Sequence, residues 1–143
     1  MRIAGYHSCS LVNGEGVRFV IFVQGCAHRC PGCQNPDTWD FDGGYEITPQ
    51  ELVAKIRSHK FIDGITLSGG DPYFQEDDCV RLISMLPKHL NVWVYTGYNY
   101  AEIKDRSLSS VADVLVTGPF IESMRCEGKY YGSLNQEIHR RDL

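Results

Sequence analysis

Four short runs rich in β-branched and aromatic residues constrain this chain most: residues 18–23 (RFVIFV), 64–68 (GITLS), 91–95 (NVWVY) and 113–116 (DVLV). The stretches between them carry helix signals. Thr48 is placed as an N-cap, with Pro49 at the first helical position and Glu51 three residues on as in a capping box. Leu52, Val53 and Ile56 then share one face, and the helix should fade near Ser58. Residues 75–86 bring Val80, Leu82, Ile83, Met85 and Leu86 and stop before Pro87, and a short helix is expected over 100–105. Strands separated by helices imply a parallel sheet with right-handed crossovers. With 143 residues there is room for one domain of four or five strand–helix units. A closed eight-unit barrel needs about 250. The expected fold is therefore α/β, a single domain over 1–143 forming a partial (βα) barrel. Ligands in such sheets sit beyond the carboxyl ends of the strands. Gly69-Gly70-Asp71, Thr96-Gly97-Tyr98 and Thr117-Gly118-Pro119 all fall at that edge.

A net charge of −4 lacks the basic surplus of a nucleic-acid binder, and no nucleic-acid partner is expected. No apolar run approaches the roughly 20 residues that span a bilayer. The first residues, MRIAGYHSCSLVNGEG, show no apolar block before a cleavage site, which leads us to expect a cytoplasmic protein away from membranes. In a reducing compartment the six cysteines point to metal binding or burial rather than to disulfides.

Cys26, Cys30 and Cys33 form a C-x3-C-x2-C cluster directly after the first run. Chance placement of so few cysteines would produce that pattern in roughly one such chain in a hundred. Three thiolates on one short loop suit three corners of a [4Fe-4S] cubane, leaving one iron open for chemistry. Structural zinc is the alternative; its fourth ligand would have to come from His28, Cys79 or Cys126. Otherwise Cys9, Cys79 and Cys126 read as small buried hydrophobes. Lys55, Arg57, Lys60 and Arg81 read as solvated helix faces. The five histidines share no ligand spacing, and no catalytic role is assigned to them.

The cysteine loop and the following Gln34-Asn35-Pro36-Asp37-Thr38-Trp39 resemble the radical S-adenosylmethionine superfamily, in its glycyl-radical-activating branch. Within it the chain is most similar to activases of anaerobic ribonucleotide reductase. The likeness covers almost the whole length, through Val12-Asn13-Gly14-Glu15-Gly16, Leu67-Ser68-Gly69-Gly70-Asp71-Pro72, Trp93-Val94-Tyr95-Thr96-Gly97-Tyr98 and Gly132-Ser133-Leu134-Asn135-Gln136. The resemblance implies a [4Fe-4S] cluster on Cys26, Cys30 and Cys33, with S-adenosylmethionine as co-substrate. It implies that Gly69-Gly70-Asp71 holds the methionine amino group and that Gly32-Cys33-Gln34 lies against the adenine. Thr96-Gly97-Tyr98 and Thr117-Gly118 are expected to touch cofactor or substrate, and Thr96 is assigned to the cofactor. The implied reaction is reductive cleavage of S-adenosylmethionine and formation of a glycyl radical on the reductase large subunit. Flavodoxin or ferredoxin is the implied electron donor. Asp71 stands where the superfamily more generally has Glu, Thr117 where the family often has Asp, and Leu134 where it usually has Ser; the chain also ends a little early for the family. The competing readings are an activase of formate-lyase type, a small radical enzyme acting on a metabolite, and a non-catalytic zinc or electron-transfer module.

Overall fold

The computed structural model describes residues 1–33 and 35–141. Its elements run β1 (Arg2–Ser10), β2 (Arg18–Val23), β3 (Tyr45–Glu46), α1 (Pro49–Arg57), β4 (Gly64–Gly69), α2 (Glu76–Ser84), β5 (Asn91–Tyr95), α3 (Tyr100–Ile103), α4 (Ser107–Val111), β6 (Val114–Thr117) and β7 (Glu137–Arg140). Among the described residues all seven strands join one sheet, in the order β3-β1-β2-β4-β5-β6-β7. Its centre is parallel: Phe19 pairs with Ile65, Thr66 with Trp93, and Val94 with Leu115. These four strands are the runs anticipated from the sequence, joined by three crossovers. Antiparallel strands extend both edges, β1 and β3 on one side and β7 on the other. The sheet is thus mixed around a parallel core, wider than the four runs alone indicated.

Side chains alternate across the pleat, and both faces are apolar. Phe19, Ile21, Ile65, Leu67, Val92 and Val94 face the helices, meeting Leu52 and Ile56 of α1, Leu82 of α2 and Leu108 of α4. On the other face Trp93, Val114 and Val116 are covered by Tyr131 and Ile138 of the C-terminal segment rather than by a helix. Arg18 is buried beneath that cover, its guanidinium 5.6 Å from the Trp93 ring. It satisfies itself on carbonyls and hydroxyls: Glu15 O (2.7 Å), Ile65 O (2.7 Å), Asn91 O (2.7 Å) and Thr66 Oγ1 (2.8 Å). Burial pulls its pKa down to about 10. The Thr66 hydroxyl in turn donates to Asn13 O at 2.6 Å, pinning the loop before β2.

Thr48 caps α1 by accepting from the Glu51 N–H at 3.1 Å. The Glu51 carboxylate takes the Thr48 hydroxyl at 3.1 Å instead of the Thr48 N–H, so only the first half of the expected capping box forms. The second helix begins later than its apolar pattern indicated. Asp71 accepts from the Tyr73 N–H and caps a 3₁₀ turn over Pro72–Gln75, so α2 starts at Glu76. Cys79 is buried as expected, but Cys9 lies exposed on β1 and Cys126 half-buried. Cys9 is exposed because the outer strand β1 fully buries only Ile3, and Cys126 sits on the loop before β7. Among the described residues no helix is long and apolar enough to cross a membrane.

Candidate active site

The parallel strands end on one edge, and there the chain builds a cavity of about 410 Å³. Ligand pockets for small molecules run from roughly 300 to 1,000 Å³, so the space suits a nucleoside-sized group. Cys26, Cys30 and Cys33 line it from the β2 end, Gly69 and Gly70 from β4, and Thr96 and Gly97 from β5. Gly118 and Gln136 close the β6 side.

The cysteine loop is anchored at its first residue. The Gly25 and Cys26 N–H groups donate to Thr38 O (2.6 Å) and Trp39 O (3.2 Å), folding the loop back on the segment that follows it. Buried Gln24 reinforces this fold, its amide donating to Asp37 O (3.0 Å) and Asp40 O (2.7 Å). A turn carries Cys33, whose N–H donates to Cys30 O at 3.1 Å, and the Asn35 N–H reaches the Cys33 sulfur at 3.4 Å. All three thiols are free. Burial pushes the Cys26 thiol up, against hydrogen bonds from the His28 and Arg29 backbone that pull it down. Soft thiols spread around one cavity match the donor set of an iron–sulfur cluster. Among the described residues no three His, Cys, Asp or Glu side chains stand close enough together to hold one metal ion.

The glycines at the end of β4 are there because the backbone at the end of β2 passes against them. A Cβ on Gly70 would lie 2.4 Å from the Gly25 carbonyl oxygen, and one on Gly69 would lie 2.6 Å from the Val23 nitrogen. The Gly70 and Asp71 N–H groups donate to Val23 O (2.8 Å) and Gly25 O (3.0 Å), locking this turn to the root of the cysteine loop. Asp71 is buried, and its carboxylate is fully engaged. It accepts from the Thr96 hydroxyl (2.8 Å), the Gly97 N–H (2.9 Å) and the Tyr73 N–H (3.1 Å), and lies 2.7 Å from His28 Nε2. The Gly69 and Gly70 backbone therefore faces the cavity, while the Asp71 side chain ties three loops together behind it.

Gly32 presents its carbonyl to Arg125 at 3.3 Å, so this part of the expected adenine contact is engaged by the C-terminal segment. Gln34 lies outside the described residues. Thr117 is buried at the end of β6 with no carboxylate to offer. Gln136 accepts from the Gly132 (2.8 Å) and Ser133 (3.1 Å) N–H groups and donates to Gly118 O (2.9 Å), fixing the cavity's far wall. Leu134, the departure within that motif, is 60% exposed, which explains how the position accepts an apolar residue. His28, offered by the sequence only as an alternative zinc ligand, instead sits on Asp71 and packs edge-on to Tyr98 at 4.6 Å. Cys126, read from the sequence as a buried hydrophobe or an alternative zinc ligand, lines the cavity. For His28 the only available signal was its place inside the cysteine loop.

Residues 12–139 match the family model described as a 4Fe-4S single cluster domain. Proteins named anaerobic ribonucleoside-triphosphate reductase-activating protein are similar along almost the whole chain. The one from Enterobacteria phage T4 is 33% identical, covering 92% of this chain and 89% of its own. That of Vibrio cholerae is 35% identical, covering 96% and 97%. The Escherichia coli protein is 32% identical, covering 94% and 95%. Among solved structures, QueE from Escherichia coli shares the fold with a TM-score of 0.52 at 18% identity, over 67% of this chain and 52% of that one.

Proposed function

Because the chain belongs to the family of anaerobic ribonucleoside-triphosphate reductase-activating proteins, we propose that it is a radical S-adenosylmethionine activase that places a glycyl radical on the large subunit of anaerobic ribonucleotide reductase. One observation carries the reading: three thiols and the Gly69-Gly70 backbone face each other across one nucleoside-sized cavity. With a [4Fe-4S] cluster and S-adenosylmethionine bound, the chemistry supplied is one-electron cleavage of the sulfonium carbon–sulfur bond, giving methionine and a 5′-deoxyadenosyl radical able to take a hydrogen atom from a glycine α-carbon.

The chain's own part is holding and orienting. Cys26, Cys30 and Cys33 ligate three irons. Carbonyls of the Gly69-Gly70 turn accept from the methionine ammonium, with Asp71 fixing that turn from behind through Thr96, Gly97 and His28. Cys33, which lines the cavity, brings backbone to the adenine, and Thr96 closes the cofactor's side. We read the mixed sheet as an open, partial barrel whose strand-end edge, where the cavity lies, admits a peptide loop of the reductase. No general acid–base pair is required. A flavodoxin or ferredoxin supplies the electron.

The test is anaerobic incubation of the reconstituted protein with S-adenosylmethionine, a reductant and the reductase large subunit, followed by electron paramagnetic resonance. A glycyl radical doublet that requires all components is expected. Its absence beside a glycyl radical on a formate-lyase-type enzyme would reassign the partner.

A further inference from the structure

Among the described residues only two buried side-chain polar atoms lack a hydrogen-bond partner, Trp39 Nε1 and Asn135 Oδ1. Asn135 is held by its other amide atom, which donates to Pro119 O at 2.8 Å. Trp39 has no second polar atom. A donor shielded from water and left unmatched is costly, and few native groups are left so.

The placement of this indole is specific. Trp39 lines the same cavity as the three cysteines. Its carbonyl accepts from the Cys26 N–H and its own N–H donates to Pro36 O, both at 3.2 Å. The Arg29 guanidinium lies 5.8 Å from its ring centroid. Residues of the cysteine loop thus hold Trp39 at its backbone and on its ring, leaving a shielded, unmatched N–H donor on a residue that shares the cavity wall with the three thiols. Protonated thiols are weak acceptors, whereas thiolates and sulfide are anionic. Donation to sulfur already has a precedent on this loop, from the Asn35 N–H to Cys33.

We propose that Trp39 donates its indole N–H to a sulfur of the loaded cluster, as a residue that positions the cluster and sets its potential without ligating iron. This rests on the cluster reading given above. A hydrogen bond to sulfur offsets negative charge and stabilises the reduced state more than the oxidised one, so its loss lowers the reduction potential.

Two measurements test it. In an anaerobic titration followed by electron paramagnetic resonance, Trp39→Phe loaded with the wild-type iron content is expected to titrate at a more negative midpoint, and Trp39→His, which keeps a ring N–H, to recover part of the shift. Ultraviolet resonance Raman on the unmodified protein needs no variant to fold. Cluster loading should move the indole hydrogen-bond marker band. Loading with selenide in place of sulfide should move it again if the acceptor is inorganic, and leave it unmoved if the acceptor is a cysteine thiolate. An unchanged band on loading, or equal midpoints for Trp39→Phe and wild type, would overturn the inference. Failure of the wild-type chain to assemble any cluster would instead strike the function proposed above.

Discussion

Asp71 illustrates how single residues divide the work here. Its position after Gly69-Gly70 invited a role as an acceptor for the cofactor, yet the Thr96 hydroxyl, the Gly97 and Tyr73 N–H groups and His28 already surround its carboxylate. Removing a buried acceptor strands every donor around it. Asp71→Ala should therefore cost about 3 kcal/mol of stability in the cluster-free protein, read as a lower denaturant midpoint. An unchanged midpoint would show that these bonds contribute nothing. Gly70 makes a different prediction, because a methyl there meets the Gly25 carbonyl at 2.4 Å. Gly70→Ala should displace the root of the cysteine loop and lower the iron retained per chain after reconstitution. Iron content equal to wild type would contradict that packing. The three cysteines were legible because spacing along one loop encodes convergence. The contact of His28 with Asp71 bridges 43 positions, and no local pattern announces it.

At the scale of elements, legibility followed burial. β2, β4, β5 and β6 are buried on both faces and declare themselves as apolar runs. β1 buries only Ile3 fully, and β7 has no fully buried residue, so neither carries such a run and neither was foreseen. They exist because pairing completes the sheet rather than because their composition demands a strand. The cap on α1 was readable from Thr48 and Pro49. Thr48→Ala should cost about 1 kcal/mol, measured by thermal or chemical unfolding. The turn over Pro72–Gln75 is tied to α4 by the buried Tyr73 hydroxyl, 2.5 Å from Ser109 Oγ. Burial pushes the Tyr73 hydroxyl up to about 12 from its ordinary value of 10. The folded state therefore resists losing that proton while the unfolded chain gives it up. The stability this contributes is complete below pH 10 and lost as pH rises to 12. Unfolding free energy should fall across that window, and Tyr73→Phe should flatten the fall. An identical slope in the two proteins would contradict the assignment.

Over the whole molecule, helices cover one face of the sheet, while the chain after β6 covers the other and walls the cavity. That second cover was not readable in advance. It consists of loop held by Gln136 on Gly118, by Arg125 on Gly32 and by Tyr130 edge-on to Trp93 at 5.6 Å. None of these contacts carries a periodic signature. What the arrangement achieves is a single edge where a cysteine loop, a glycine turn and two strand ends meet around one space. The account stands on that space being the seat of S-adenosylmethionine cleavage. The most direct measurement is anaerobic reconstitution with iron and sulfide, addition of dithionite and S-adenosylmethionine, and quantitation of 5′-deoxyadenosine. The account predicts cluster assembly with nucleoside release, both abolished in Cys30→Ala. A colourless protein that retains zinc and releases no 5′-deoxyadenosine would contradict it.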